Sequence, residues 1–255
     1  MKKTIFIGCI LIAALSFTSC GDSKNGGNLT IDARVSHGDL VNSQVDEVRA
    51  MGAISVPATP PDWWDEWETY YEMQYVEIAT APFKNGGFKI TLPKEKIDQR
   101  LLEPMDFKGM EDYLSIKLNI SNKDVKGTGV YEFVAYKNNS PVGYFECYYW
   151  SPDADGYVEY VFVDGNCKIS GSYSETEEWG GKTYKYEFTI DLDLKKGWNT
   201  VYQYYMKVGN TEVEKITTKK PDFDFTWYYD TGYYYSDSPE KHAKKAQRKA
   251  LKLFK

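Results

Sequence analysis

Cys20 is the residue whose neighbours specify its chemistry most closely. Lys2 and Lys3 give a positive start, residues 5–15 give an apolar run too short to remain across a bilayer, and Thr18 and Ser19 are small residues before the thiol. That succession is a secretion signal cut before a cysteine whose sulfur is then joined to lipid through a thioether. Residues 1–20 therefore read as a lipoprotein signal peptide, with Cys20 as the lipidation site holding the mature chain on a membrane. The competing readings are an ordinary signal with an incidental cysteine and an uncleaved anchor.

A second concentration of chemistry lies in residues 60–72. Indole faces stack on sugar rings, and neighbouring carboxylates accept hydrogen bonds from hydroxyls. Trp63, Trp64, Trp67 and Tyr70, with Asp62 and Glu66, thus form a candidate ligand-binding platform on a loop between strands. The same residues can instead contact a protein, or fold back as a small core covering a sheet edge.

Elsewhere the residue types argue against catalysis. His37 and His242 are the only histidines, and neither sits in a metal-ligand or nucleophile pattern. No phosphate loop or dinucleotide fingerprint occurs. Ser151, Asp153, Asp155 and Gly156 partly follow a calcium loop, but the twelfth place is Phe162 where a bidentate Glu is needed, which favours a plain hairpin turn. With 37 acids in the chain, paired carboxylates do not by themselves argue for glycoside hydrolysis, so an acid-pair hydrolase is the least favoured reading. No catalytic residue, metal or cofactor is expected.

Cys9 leaves with the signal, so Cys147 and Cys167 are the cysteines free to pair, and a disulfide is permitted outside the cytoplasm. Hairpin register about residues 153–156 puts Cys147 opposite a residue near Val161, so the pairing needs a neighbouring strand.

Losing Lys2 and Lys3 takes the net charge from −6 to −8, which repels nucleic acid and makes it an unlikely partner class. Aromatics are 16% of residues, with 22 Tyr, a composition that suits half-buried strands. Residues 21–28 are a Gly-, Asn- and Ser-rich tether. Strands are expected at 29–35, 45–56, 73–79 and 88–92, a short helix at 94–102, and a strand at 113–120. Seven more strands follow at 130–136, 142–150, 157–163, 167–173, 183–190, 200–208 and 223–229. The fold class is all-β: two antiparallel sandwiches, Ig-like or prealbumin-like, at 29–122 and 123–235. Residues 227–229 and 233–235 are Tyr-rich and suit a sheet edge that recruits another strand.

Residues 236–255 read as a short helix, with Ser238 as cap and Pro239 at its first position. Between Lys241 and Lys255 seven Lys/Arg stand against no acid. This basic tail suits either packing on the acidic body or contact with anionic lipid, lipopolysaccharide or wall polymer.

Gly38 in a turn, the strand Val45-Asp46-Glu47-Val48, and Asn85-Gly86-Gly87-Phe88 leading to Leu92-Pro93 resemble carboxypeptidase-regulatory or prealbumin-like β-sandwich repeats. Such repeats are spacers or binding modules, and the resemblance implies no catalysis. Residues 160–164, Ile169-Ser170-Gly171 and residues 194–199 resemble a large set of Bacteroides-type outer-membrane lipoproteins that carries no assigned activity. That resemblance transfers no functional residue. In such lipoproteins an acid-rich stretch after the lipidated cysteine accompanies surface display; Asp22 is the only acid in the tether, so the periplasmic face and the cell surface both stay open. The expectation is a non-catalytic, lipid-anchored envelope protein that binds or displays a glycan or another envelope protein.

Overall fold

The computed structural model describes residues 27–57 and 71–231. These residues are mostly β, arranged as one large mixed sheet of 15 strands. Strand β1 (Leu29–Arg34) alternates between buried Leu29, Ile31 and Ala33 and exposed Thr30, Asp32 and Arg34. A single helical turn, α1 (Gly38–Val41), leads to β2 (Glu47–Pro57), which pairs antiparallel with β3 (Tyr71–Lys84). Asn85 and Gly86, with φ of 53° and 76°, make the tight turn into β4 (Gly87–Leu92), which pairs with β1. Gly38 lies against that turn, and a Cβ there would meet the Gly86 carbonyl oxygen at 2.1 Å.

The stretch after Pro93 departs from expectation. In place of a helix at 94–102 there is one 3-10 turn at Gln99–Leu101, because the Asp98 carboxylate takes the Arg100 N–H at 2.9 Å together with its guanidinium. After β5 (Glu103–Pro104) comes α2 (Phe107–Leu114), capped by Asp106, which accepts from Gly109 N at 3.0 Å. Thus the strand expected at 113–120 is instead a helix end, closed by Ser115 at φ 53°, followed by β6 (Asn119–Ile120). Its alternation still marks burial, since Ile116 and Leu118 are both in the core.

The next four strands set the architecture. β7 (Lys126–Gly129) and β8 (Glu132–Lys137) are separated by two residues; the left-handed Asn138 and Asn139 turn β8 into β9 (Ser140–Ser151), which a turn at residues 152–153 joins to β10 (Ala154–Val163). The β9–β10 hairpin is closed from Ser151–Ala154 to Tyr148–Tyr157 and then splays. Into the opening comes the β7–β8 segment: Gly129 pairs with Val161 on β10, and Phe133 pairs with Phe145 on β9. Since β8 also pairs with β2, from Glu47–Tyr136 to Met51–Glu132, the ladder crosses the expected boundary at 122–123 and both halves share one sheet.

On the far side, β11 (Cys167–Trp179) and β12 (Lys182–Leu194) form a long hairpin turned by Gly180 and Gly181. Then β13 (Gly197–Val208) pairs with β10, and β14 (Thr211–Thr217), a strand not foreseen, folds back between β13 and β12. The β12–β14 pair is parallel, so the sheet is mixed although an antiparallel one was expected; β13 itself serves as the crossover, which is why no helix is needed. Last, β15 (Thr226–Asp230) pairs with β9, and on its other side Trp227 makes one bridge to Val35.

Two cores lie on opposite faces. The inner one joins β1, β2, β4, β8, β9, β10, β13 and β15 around Phe88, Phe133, Phe145, Tyr160, Trp198 and Trp227. The other lies under α2, where Phe107 and Met110 cover Val161, Val163, Ile169, Ile190 and Val201. Trp198 is fully buried, sets its edge against Phe162 at 5.6 Å and donates from Nε1 to the Pro93 carbonyl at 2.9 Å. Trp198→Ala is expected to cost about 3–5 kcal/mol, read from urea unfolding. Trp179→Ala, at a site 76% exposed, is expected to stay within about 0.5 kcal/mol; similar losses for the two contradict this packing.

Candidate functional site

Several sequence-predicted sites fall outside the described residues: Cys20, the Asp62, Trp63, Trp64, Glu66, Trp67 and Tyr70 platform, and the basic tail. What is described is the ribbon from which the platform's segment leaves. Pro57 pairs with Tyr71, and beyond Met51 the ladder partner of β2 is β3. At the ribbon's base Tyr75 and Tyr131 are both more than half exposed, with ring centroids 5.5 Å apart.

Cys147 and Cys167 do not pair. Both are buried thiols outside any disulfide, Cys147 in the inner core and Cys167 in the core under α2, so the two sheet faces separate them. The hairpin register also differs from expectation: with Tyr148 opposite Tyr157, the residue facing Cys147 falls well short of Val161. The Cys167 thiol donates to the Asn122 carbonyl at 3.2 Å, and burial pushes its pKa up, as expected of an inert core cysteine. The calcium-like stretch is a hairpin turn, in which Ser151 Oγ accepts from Ala154 N at 3.0 Å. His37 stands at φ 53° before α1. Among the described residues no cluster of His, Cys, Asp or Glu is arranged to hold a metal.

The structure brings together a different surface, one that the sequence reading did not single out. Side chains alternate across a strand, so burial of Phe145, Cys147, Tyr160 and Trp227 in the inner core sends their neighbours to the outer face. Along β9 these are Tyr144, Glu146, Tyr148 and Trp150; beside them stand Thr226, Tyr228 and Asp230 of β15, and Asp155, Tyr157 and Glu159 of β10. Helix α2 and its flanks cover the far half of the outer face of β10–β13; on the other half Trp150 is exposed, and Tyr148, Tyr157 and Tyr228 are half-buried.

Its aromatics pack in sequence. Tyr228 stacks on Tyr148 with centroids 4.3 Å apart and planes at 22°, and Tyr148 lies 6.1 Å from Tyr157. Trp150 ends the row, 55% exposed. On the neighbouring strands Gln203 Nε2 donates to Glu214 Oε1 at 3.2 Å and Tyr186 Oη to Glu214 Oε2 at 2.8 Å. Four acids share the β15–β9–β10 face, Asp230, Glu146, Asp155 and Glu159, and by register no lysine or arginine points the same way from these strands. Lys207, at the end of β13, is paired with Glu212 at 3.6 Å.

The titrating groups report that negative, half-dry setting. Burial first, then the charges of Asp155, Glu146 and Tyr148, push the Tyr157 hydroxyl far up. Tyr205 on β13 is pushed up to about 12 by burial and by Glu212, Asp155 and Asp153. Glu159 is pushed up to about 7 by burial. Two clefts lie elsewhere, one of about 390 Å³ lined by Val76, Ile78, Ile97 and Leu101 with Lys96 and Asp98, the other of about 340 Å³ beside the Asn85–Gly86 turn.

No family profile, curated protein or solved structure matches the chain. The face must therefore be read from its own chemistry.

Glu159 supplies a test of that reading. The folded protein holds this proton up to about 7, whereas the unfolded chain releases it near 4.5, so stability falls as pH rises through that interval. The fall is at most about 3 kcal/mol, and smaller because the side chain keeps part of its contact with water. Glu159→Gln is expected to flatten the urea midpoint between about pH 4.5 and 7 and to unfold later than the parent above it. An unchanged pH slope contradicts the burial assigned to this carboxyl.

Proposed function

We propose that this chain is a non-catalytic, lipid-anchored module of the cell envelope, held on the outer membrane through Cys20, that binds a neutral glycan on the outer face of β9, β10 and β15. The observation carrying this reading is the single row Tyr144, Glu146, Tyr148 and Trp150, with Tyr228 and Tyr157 at its flanks. Aromatic rings offer apolar faces to the C–H side of a sugar, and the interspersed carboxylates accept from its hydroxyls. Anionic polymers are disfavoured by four carboxylates on the same face. The lipid anchor rests on the order of features in residues 1–20.

A carboxyl with a raised pKa near a second one is what an acid-pair hydrolase uses. Burial alone accounts for Glu159, and the two clefts lie away from it, which favours recognition over turnover.

A second reading places the glycan on Trp63, Trp64, Trp67 and Tyr70. It is favoured by the β2–β3 ribbon, whose paired ends Pro57 and Tyr71 hold the ends of that segment together beyond the exposed Tyr75 and Tyr131. Affinity electrophoresis of a soluble fragment starting near Asn28 in gels of neutral polysaccharides separates the two. On the main proposal Trp150→Ala with Tyr148→Ala abolishes retention, while replacement of the three loop tryptophans by Ala leaves it intact. The reverse pattern selects the loop, and loss of retention by neither variant, or no retention of the parent on any gel, overturns both.

A further inference from the structure

We propose that the outer edge of β11, from Ser172 to Trp179, is a docking site for an extended basic strand of a partner protein, which adds to the sheet antiparallel to β11. This edge is separate from the outer face of β9, β10 and β15, and the proposal does not rest on glycan binding there. Strand β11 is paired with β12 along its whole length, whereas its other edge meets β6 at Ile169 and Ser170 alone among the described residues. The chain entering β6 crosses Gly171, where a Cβ would meet Leu118 at 3.0 Å and Ile116 at 3.1 Å, having come from the end of α2. Beyond that crossing every residue from Ser172 to Gly181 is exposed.

The pairing with β6 fixes which main-chain groups face outward. Lys168 turns both of its groups to that side: its carbonyl accepts from Ser121 N at 3.0 Å, and its N–H donates to Ser121 Oγ at 2.8 Å. The β11–β12 register runs without a bulge, so the N–H and C=O of Ser172, Ser174, Thr176 and Glu178 point the same way. They form a template about 20 Å long for a further strand. Side chains of the alternate residues, Tyr173, Glu175, Glu177 and Trp179, follow Cys167 and Ile169 onto the α2 side of the sheet. There the Tyr173 hydroxyl donates to Glu175 Oε2. A strand laid along this edge meets a ring, two carboxylates and a ring in succession. It is matched by an apolar residue, two cations and an apolar residue at alternate positions.

The same acids turn away a second copy of the chain. Antiparallel self-pairing that uses the whole edge is centred on Glu175 or Thr176, and it sets Glu175 directly across from Glu175 or Glu177 of the other copy, which is repulsive. A cationic strand meets no such penalty, so one feature both excludes the copy and selects the partner. Nor do the hairpin's own lysines take the partner's place. By register Lys185 lies on the opposite face, ion-paired to Glu187, and Lys182 stands across from Trp179 at the tip. The chain's basic segment at 241–255 carries its apolar residues at helical spacing and does not supply the alternation.

The test adds a synthetic peptide, acetyl-Val-Thr-Lys-Thr-Lys-Thr-Val-amide, to the full chain and follows hydrogen–deuterium exchange by mass spectrometry. Two control peptides accompany it, one with glutamate in place of both lysines and one N-methylated at the central threonine, whose N–H would otherwise donate to the Thr176 carbonyl. The lysine peptide is expected to slow exchange across residues 172–178 and to leave residues 144–160 unchanged. It should bind at least about tenfold more tightly than either control. Glu175→Lys combined with Glu177→Lys, both at exposed positions, should reverse the preference in favour of the glutamate peptide. Equal binding of the N-methylated peptide would mean attraction by charge without strand addition, and would overturn the proposal. So would undiminished binding of the lysine peptide by the double variant, protection confined to other segments, or no protection at about 1 mM peptide.

Discussion

Burial of Trp227 is the contact on which the rest of this molecule depends. Its indole meets Phe88 of β4 at 5.1 Å, Phe133 of β8 at 5.2 Å and Tyr160 of β10 at 6.3 Å, so one side chain ties the N-terminal strands, the inserted segment and the central hairpin together. Its backbone carbonyl accepts from Ser36 N at 2.7 Å, adding the turn after β1. The indole N–H finds no acceptor among the described residues, a cost of about 1–3 kcal/mol, which the surrounding aromatic packing must exceed. Because strand side chains alternate, fixing Trp227 inward fixes Tyr228 outward; the same rule applied to Cys147 and Tyr160 turns out Tyr148 and Glu159. The core thereby determines the composition of the outer face.

The second constraint is the splayed hairpin. Were β9 and β10 paired along their whole length, Glu146 and Glu159 would lie in one regular ladder. Insertion of the β7–β8 segment separates the two arms after Tyr148 and Tyr157 and lets each feed its own run of strands, β8–β2–β3 on one side and β13–β14–β12–β11 on the other. This is how residues from Leu29 to Trp227 come to share one core.

Much of the strand content was legible because alternation and turn chemistry are local. Asn85-Gly86, Asn138-Asn139 and Gly180-Gly181 all occur at positive φ and all join paired strands, as their types require. Long-range pairing was not legible: nothing near Glu47 announces Tyr136 as its partner, and β14 carries too few apolar residues, Val213 and Ile216, to stand out between polar neighbours. Helix α2 was hidden because the alternation that follows it in 114–120 is itself a burial signal. The outer face was missed for a related reason. In β9 both alternating sets, Phe145-Cys147-Tyr149 and Tyr144-Glu146-Tyr148-Trp150, are rich in aromatics, so sequence cannot tell the core side from the outer side. Only contact with Trp227 and Phe133 decides it.

Recognition on this face is the central claim, and ring-resolved NMR tests it most directly. With tyrosine and tryptophan rings isotopically labelled in the soluble fragment, a neutral oligosaccharide cut from a retained polysaccharide is titrated in and ring shifts are followed. The account predicts saturable shifts at Trp150, Tyr148, Tyr157 and Tyr228, with Trp179 and Trp198 unmoved. Saturable binding that shifts other rings and leaves those four untouched would contradict it.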